Sequence, residues 1–229
     1  TVTELTNYAN QKCNGQDAVT LQTAFALSCN TAFVEMSEQL GADELRKYAK
    51  AFGVGENYDL GVSTSAGTLG DLPDGSATAQ SVIGQRDVTM TALQAAVMAG
   101  TVANKGTRMQ PYLVNRITDA QMKDVRTTKP KKADQAVNEE TAATLTDLMY
   151  ASERSSWGYD GNGFASKTGT AEHGEGLAPH VWYVAFDPER DIAVGVVVKN
   201  GGNLGESATG GKVSGPIGRA ILRAYQGEQ

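Results

Sequence analysis

Between positions 17 and 40, apolar residues recur at helical spacing: Leu21, Ala24 and Phe25, then Phe33, Val34, Met36 and Leu40. That period lines one side of a helix for burial. A polar break, Ser28-Cys29-Asn30, interrupts it. The pattern predicts a further helix over 43–52, with Asp43 and Glu44 at its start, Leu45, Tyr48, Ala49 and Phe52 on its apolar face, and Gly53 at its end. Residues 54–80 are rich in Gly, Ser, Thr and Asp and read as a long loop, and ordered loops of that length are often functional. Thr91 can cap a helix over 91–104 that buries Leu93, Ala96, Val97 and Val102 and stops at Gly106. A strand is expected over 112–118. Another helix is expected over 138–152, with Asn138 as cap and Glu139 and Glu140 favourable to the helix dipole.

The last third reads as sheet. Three strands are predicted over 164–171, 180–186 and 192–199, the latter two joined by the turn-rich Asp187-Pro188-Glu189-Arg190-Asp191. A helix near 215–225 closes the chain. Helices, then an antiparallel sheet, then a closing helix make an α+β fold. No repeat or low-complexity tract interrupts it.

Composition adds limits. In 229 residues, 40% are hydrophobic and 20% charged, ordinary for a globular protein with a sizeable core. The net charge of −6 argues against a nucleic-acid partner, which needs a basic face. The basic cluster Lys129, Lys131 and Lys132 around Pro130 reads as a solvated loop. No stretch approaches the ~18 apolar residues of a membrane span, and the N-terminus carries no signal-peptide pattern. The sequence starts at Thr1 without a Met and looks cut from something longer. Its two cysteines, Cys13 and Cys29, are either buried thiols or one disulfide, depending on the compartment.

Candidate chemistry lies in three places. Ser166-Lys167-Thr168-Gly169-Thr170-Ala171 puts a cation, hydroxyls and a glycine on a short strand. Lys is rarely buried without a partner, and Gly lets a ligand backbone approach. Thr168 and Thr170 share a face, so the segment could present a cation and two hydroxyls to an anion lying along it. It also reads as an exposed edge blunted by Lys. Ser28 and Asn30 could both face a cleft, or simply cap a helix. Ser81-Val82-Ile83-Gly84-Gln85 reads as a turn before the 91–104 helix and the Pro111-Tyr112-Leu113-Val114 segment. His173 and His180 read as structural rather than metal ligands. Asp71, Asp74 and Glu172 form no carboxylate pair.

Taken in order, these segments resemble the transpeptidase domain of class B penicillin-binding proteins over almost the whole chain. The likeness includes Cys29-Asn30-Thr31-Ala32-Phe33 and Pro179-His180-Val181-Trp182-Tyr183. S-x-x-K, S-D-N and K-T-G are one catalytic set in that superfamily. The resemblance implies an antiparallel sheet packed by helices. It also implies a serine acyl-enzyme that cross-links peptidoglycan stem peptides and is trapped by β-lactams. By motif, Ser28 would relay a proton, Asn30 would bind the substrate amide, and Lys167 would supply positive potential and help proton movement. Thr168 and Thr170, either side of Gly169, would hold the substrate carboxylate, and the Thr170 N–H would be an oxyanion donor.

The resemblance further implies an extracytoplasmic site at the bacterial cell membrane with an anchor upstream, and a membrane glycosyltransferase as a possible partner. No cofactor or metal is expected. It raises the expectation of a Cys13–Cys29 disulfide, which by closing about 15 residues would stabilise by roughly 3 kcal/mol.

One departure is marked. No Ser is followed three residues later by Lys; the family places that motif, its helix and two sheet strands before the equivalent of Ser28. The chain is therefore expected to be the C-terminal portion of one transpeptidase domain, to lack its nucleophile and not to fold stably alone. Cooperative refolding to a monomer would refute the last point. Two other readings stand beside this one: a serine β-lactamase or β-lactam sensor, which penicillin turnover would reveal, and a non-catalytic fragment or one half of a two-chain assembly whose N-terminal polypeptide supplies the serine.

Overall fold

The computed structural model describes residues 5–7, 10–174 and 176–227 (of 226 and 227 the backbone only). Thr1, where the sequence starts, lies outside them. Helix α1, Leu21–Ala26, begins at Thr20, whose side chain accepts from Thr23 N. Helix α2 runs Asn30–Ala51 but is broken at Gly41, which takes φ 75°. The two helical stretches read on either side of residue 41 are therefore real but abut directly. The first predicted helix starts late, because its cap, Thr20, is extended and residues 17–19 precede it.

Helix α3, Gly75–Val82, is a correction to the loop expected over 54–80. Asp74 caps it by accepting from Ala77 N at 2.8 Å, and Ala77, Thr78 and Ser81 are buried. Capping and tertiary burial outweigh the weak helix propensity of Gly, Ser and Thr. It also takes in Ser81 and Val82, which the sequence placed in a turn. Helix α4, Ala92–Ala103, starts with a reciprocal capping box between Thr91 and Gln94.

Four short strands follow: β1 Thr107–Met109, β2 Arg116–Thr118, β3 Asp124–Thr127 and β4 Lys132–Gln135. They pair as β1-β4 and β2-β3. Only the last three residues of the strand expected over 112–118 pair. Tyr112, Leu113 and Val114 follow Pro111 and are exposed, so neither a ladder nor a core holds them extended. Lys129, Lys131 and Lys132 are exposed, with Lys132 opening β4.

Helix α5, Glu139–Ser155, is capped by Asn138. The main sheet comprises β5 Ala165–Ala171, β6 His180–Asp187 and β7 Ile192–Val198, antiparallel in the order β5-β6-β7. A 3-10 segment, Lys199–Ser207, leads to α6, Ser214–Gly227.

The sheet is covered on both faces. On one, Ala165 and Phe186 pack with Ala99 and Val102 of α4 and Met149 of α5. There the α4 backbone lies directly on β7: a side chain at Gly195 would collide with the Ala92 carbonyl and the Ala96 amide. On the other face Phe164, Tyr183, Ala185 and Val194 pack with Leu222 of α6. Strand β5 has one neighbour, β6, and its outer edge is free among the described residues. Helices segregated around an antiparallel sheet give the α+β architecture expected from the pattern.

Candidate active site

The end of α1 meets the middle of β5. After Leu27, Ser28 adopts φ 56°, the left-handed region that L-residues other than Asn and Asp seldom occupy. Ser28 N donates to Phe25 O at 3.2 Å and Cys29 N to Ala24 O at 2.9 Å. These two bonds form a Schellman closure, in which the left-handed position is usually glycine. A serine here carries backbone strain, and such strain collects at functional sites. The turn leaves the Ser28 side chain exposed.

Lys167 Nζ donates to Ser28 Oγ across a sequence separation of 139 residues. It also donates to the Thr168 carbonyl at 2.8 Å and lies 5.8 Å from the centre of the Phe25 ring. No carboxylate among the described residues pairs with this ammonium. Burial alone lowers the Lys167 pKa from the ordinary 10.5 to about 8. The residue keeps some exposed surface.

Strand alternation separates what the sequence put side by side. Lys167 pairs with Val184, Thr168 with Tyr183, Gly169 with Trp182 and Thr170 with Val181. Lys167 and Gly169 thus belong to the α4 face, and Thr168 and Thr170 to the α6 face. The cation and the two hydroxyls do not form one row. The Lys167 side chain turns back to the Thr168 main-chain carbonyl. The Thr170 hydroxyl accepts from Gly210 N at 3.3 Å. Gly210 approaches so closely that a side chain there would strike the backbones of Trp182 and Gly169.

Asn30 opens α2, but its side chain is engaged: Nδ2 donates to the Thr6 carbonyl at 3.1 Å. Asn7 Oδ1 accepts from Thr31 N at 3.0 Å and serves the first turn of α2. Among the described residues, no hydrogen bond directs the Asn30 amide at Lys167. Cys13 and Cys29 are joined in a disulfide with Cα atoms 5.6 Å apart, which ties a 3-10 turn, Cys13–Gly15, to the buried residue following Ser28. His173 and His180 stack with ring centres 4.0 Å apart. Among the described residues no group of three or more His, Cys, Asp or Glu could hold a metal ion.

Sequence reasoning missed a buried polar cluster behind β5. Glu153 of α5 is 0% exposed and Arg219 of α6 2%. Arg219 Nε donates to Glu153 Oε1 at 2.6 Å. Burial pushes the Glu153 carboxyl up, but hydrogen bonds from Arg219, Ser166 and Asn162 and the Arg219 charge outweigh it and hold the group below its usual value. Burial, with the Glu153 charge, drives Tyr183 far up. The signal was present: Glu153 stands four residues after Met149, and Arg219 three before Leu222, on the apolar stripes of their helices.

Comparison with known proteins gives the family. A family model described as the penicillin binding protein transpeptidase domain matches residues 2–223. The chain belongs to that family. It is 44% identical to the peptidoglycan D,D-transpeptidase PbpA of Mycolicibacterium smegmatis, with 96% of this chain and 46% of the relative covered. With PbpA of Mycobacterium tuberculosis the identity is 41%, over 98% and 48%. The solved penicillin G acyl-enzyme complex of penicillin-binding protein A from M. tuberculosis superposes with a TM-score of 0.91 at 40% identity, covering 99% of this chain and 53% of that one. The chain thus spans about half the length of the relatives it matches.

Proposed function

We propose that this chain is the C-terminal portion of a single transpeptidase domain and works, within the whole protein, as part of a peptidoglycan D,D-transpeptidase outside the cytoplasmic membrane. The observation that carries this is the bond from Lys167 to Ser28, two motif residues far apart in sequence, on a strained turn beside a free strand edge. The named relatives are D,D-transpeptidases, and one is solved as a penicillin acyl-enzyme, so β-lactams are the expected inhibitors here. Among the described residues no helix is long and apolar enough to cross a membrane; an anchor and a membrane glycosyltransferase partner belong to the same proposal.

The attacking serine hydroxyl comes from polypeptide outside these residues, since no Ser here precedes a Lys by three. Its oxygen adds to the carbonyl of a D-Ala-D-Ala peptide bond, the C–N bond breaks, and the terminal D-Ala leaves as an amine. An amine of a neighbouring stem peptide then displaces the serine ester and forms the cross-link. Ser28 passes a proton to the leaving nitrogen. Lys167, with a pKa near the operating pH, supports that transfer. Thr168 and Thr170 hold the terminal carboxylate from the strand edge, and the Thr170 N–H polarises the scissile carbonyl. Asn30 reaches the substrate amide once it releases the Thr6 carbonyl.

Intact-mass spectrometry of the whole protein with benzylpenicillin tests the proposal. A stable gain of the drug's mass on a residue preceding this chain supports it. No adduct, or rapid turnover of the drug, overturns it; turnover would mean a β-lactamase.

A further inference from the structure

Strand β5 carries Lys167, Thr168 and Thr170, yet only β6 pairs with it among the described residues. An edge strand lacks the second ladder that would hold it, while a catalytic constellation tolerates displacements of only about 0.5 Å. Something other than the ladder must hold the Lys167–Thr168 segment, and the buried cluster behind it is placed to do so.

We propose that Glu153 is a positioning residue for the transpeptidation site, its carboxylate clamping β5 and β6 on either side of the Lys167–Thr168 peptide through Ser166 and Tyr183. The inference rests on the functional reading above. Glu153 Oε2 accepts from Ser166 Oγ, and Ser166 immediately precedes Lys167. The same oxygen accepts from Tyr183 OH at 3.0 Å, and Tyr183 is the register partner of Thr168. Oε1 accepts from Arg219 Nε at 2.6 Å and from Asn162 Nδ2 at 2.9 Å. Asn162 Oδ1 in turn accepts from Phe164 N at 3.0 Å, at the entry to β5. Arg219 Nη1 donates to the Trp157 carbonyl at 3.1 Å, which ties the α5–β5 connection to α6.

One carboxylate thus joins two neighbouring strands, two helices and the loop leading into the active strand. All these bonds lie on the α6 face, opposite Lys167, so Glu153 touches no reacting atom. A buried ion pair is weak evidence for stability, because apolar residues of similar volume often do as well or better. A geometric role explains its presence better. When the clamp is loosened, the segment relaxes outward, water reaches Lys167, and its titration rises from about 8 toward the ordinary 10.5. The titratable and charged groups facing Glu153 are Arg219 and Tyr183; around Lys167 stand the Ser28 hydroxyl, the Thr168 carbonyl and the Phe25 ring.

The test uses the whole protein containing this chain. The second-order rate of acylation by benzylpenicillin is measured from neutral to alkaline pH for wild type, Ser166→Ala, Tyr183→Phe and Glu153→Gln, with thermal midpoints alongside. Since a misplacement of ~1 Å can cost roughly a hundred-fold, Ser166→Ala is expected to lose about ten- to a hundred-fold in rate while it stays folded. The limb set by Lys167 is expected to move to higher pH, whichever protonation state the reaction needs. Tyr183→Phe should move both readouts the same way. If Glu153→Gln does not fold, Ser166→Ala and Tyr183→Phe carry the test. A wild-type rate and an unmoved limb in both, or a lower thermal midpoint with an unmoved limb, overturns the inference and leaves the functional reading standing. A wild type that is never acylated overturns both.

Discussion

The Lys167 ammonium donates to the Ser28 hydroxyl, joining the free edge of the main sheet to a left-handed helix end. Strain at Ser28 and desolvation at Lys167 both cost folding free energy. Both are expected of a site arranged for chemistry rather than for stability.

Ser28→Gly separates the two effects. Glycine enters the left-handed region freely, and the non-glycine cost there is about 1–2 kcal/mol. The variant is expected to gain about 1 kcal/mol of stability, less some unfolded-state entropy, and to lose most β-lactam acylation with the hydroxyl. Denaturant midpoints and acylation rates on the whole protein check this. A Ser28→Gly enzyme that acylates normally would remove Ser28 from the relay.

Lys167 predicts a pH dependence of stability. The unfolded chain keeps the lysine proton up to about 10.5, whereas the folded protein releases it near 8. Between these values the unfolded state binds more protons, so stability rises with pH. Below about 8 the desolvation penalty is present in full. Lys167→Met should therefore be more stable than wild type at neutral pH, and the difference should shrink as pH rises through that window. A constant difference would show that Lys167 is not desolvated.

Removing Arg219 should be costly in one direction only. Arg219→Met leaves Glu153 buried without its counter-ion, which typically costs about 3–5 kcal/mol. Acidification should narrow the deficit as Glu153 takes up a proton, and the double variant Glu153→Leu/Arg219→Met should lose less than the sum of the singles. Thermal melts at neutral and acid pH measure both, and additive losses would argue against coupling.

The Cys13–Cys29 bond closes a loop of sequence separation 16. Cys13→Ser is expected to cost roughly 3 kcal/mol, the entropy of opening a loop of about 15 residues. Thiol titration after denaturation without reductant checks the bond: two reactive thiols would refute it, and none would agree with it.

Much of this protein was readable locally. Thr91, Asn138 and the Asp-Pro-rich turn at 187–191 announce their helices and hairpin through short-range capping and turn chemistry. Such chemistry depends on neighbours in sequence. The order of Ser28-x-Asn30, the Gly84-Gln85 segment and Lys167-Thr168-Gly169 gave the family before any contact was known. Helix α3 escaped because Gly75, Ser76, Thr78 and Ser81 are weak helix formers, and the Asp74 cap and burial outweigh them.

The sequence by itself determined most of the helices, the three strands of the main sheet, the motif set and the α+β class, because these follow from periodicity, capping and composition. Only the tertiary structure decided that Lys167 meets Ser28, that Asn30 turns to Thr6, and that Glu153 sits behind the active strand. These are pairings between groups 13 to 139 positions apart. They arise when packed layers fix which faces touch, and no local preference encodes that.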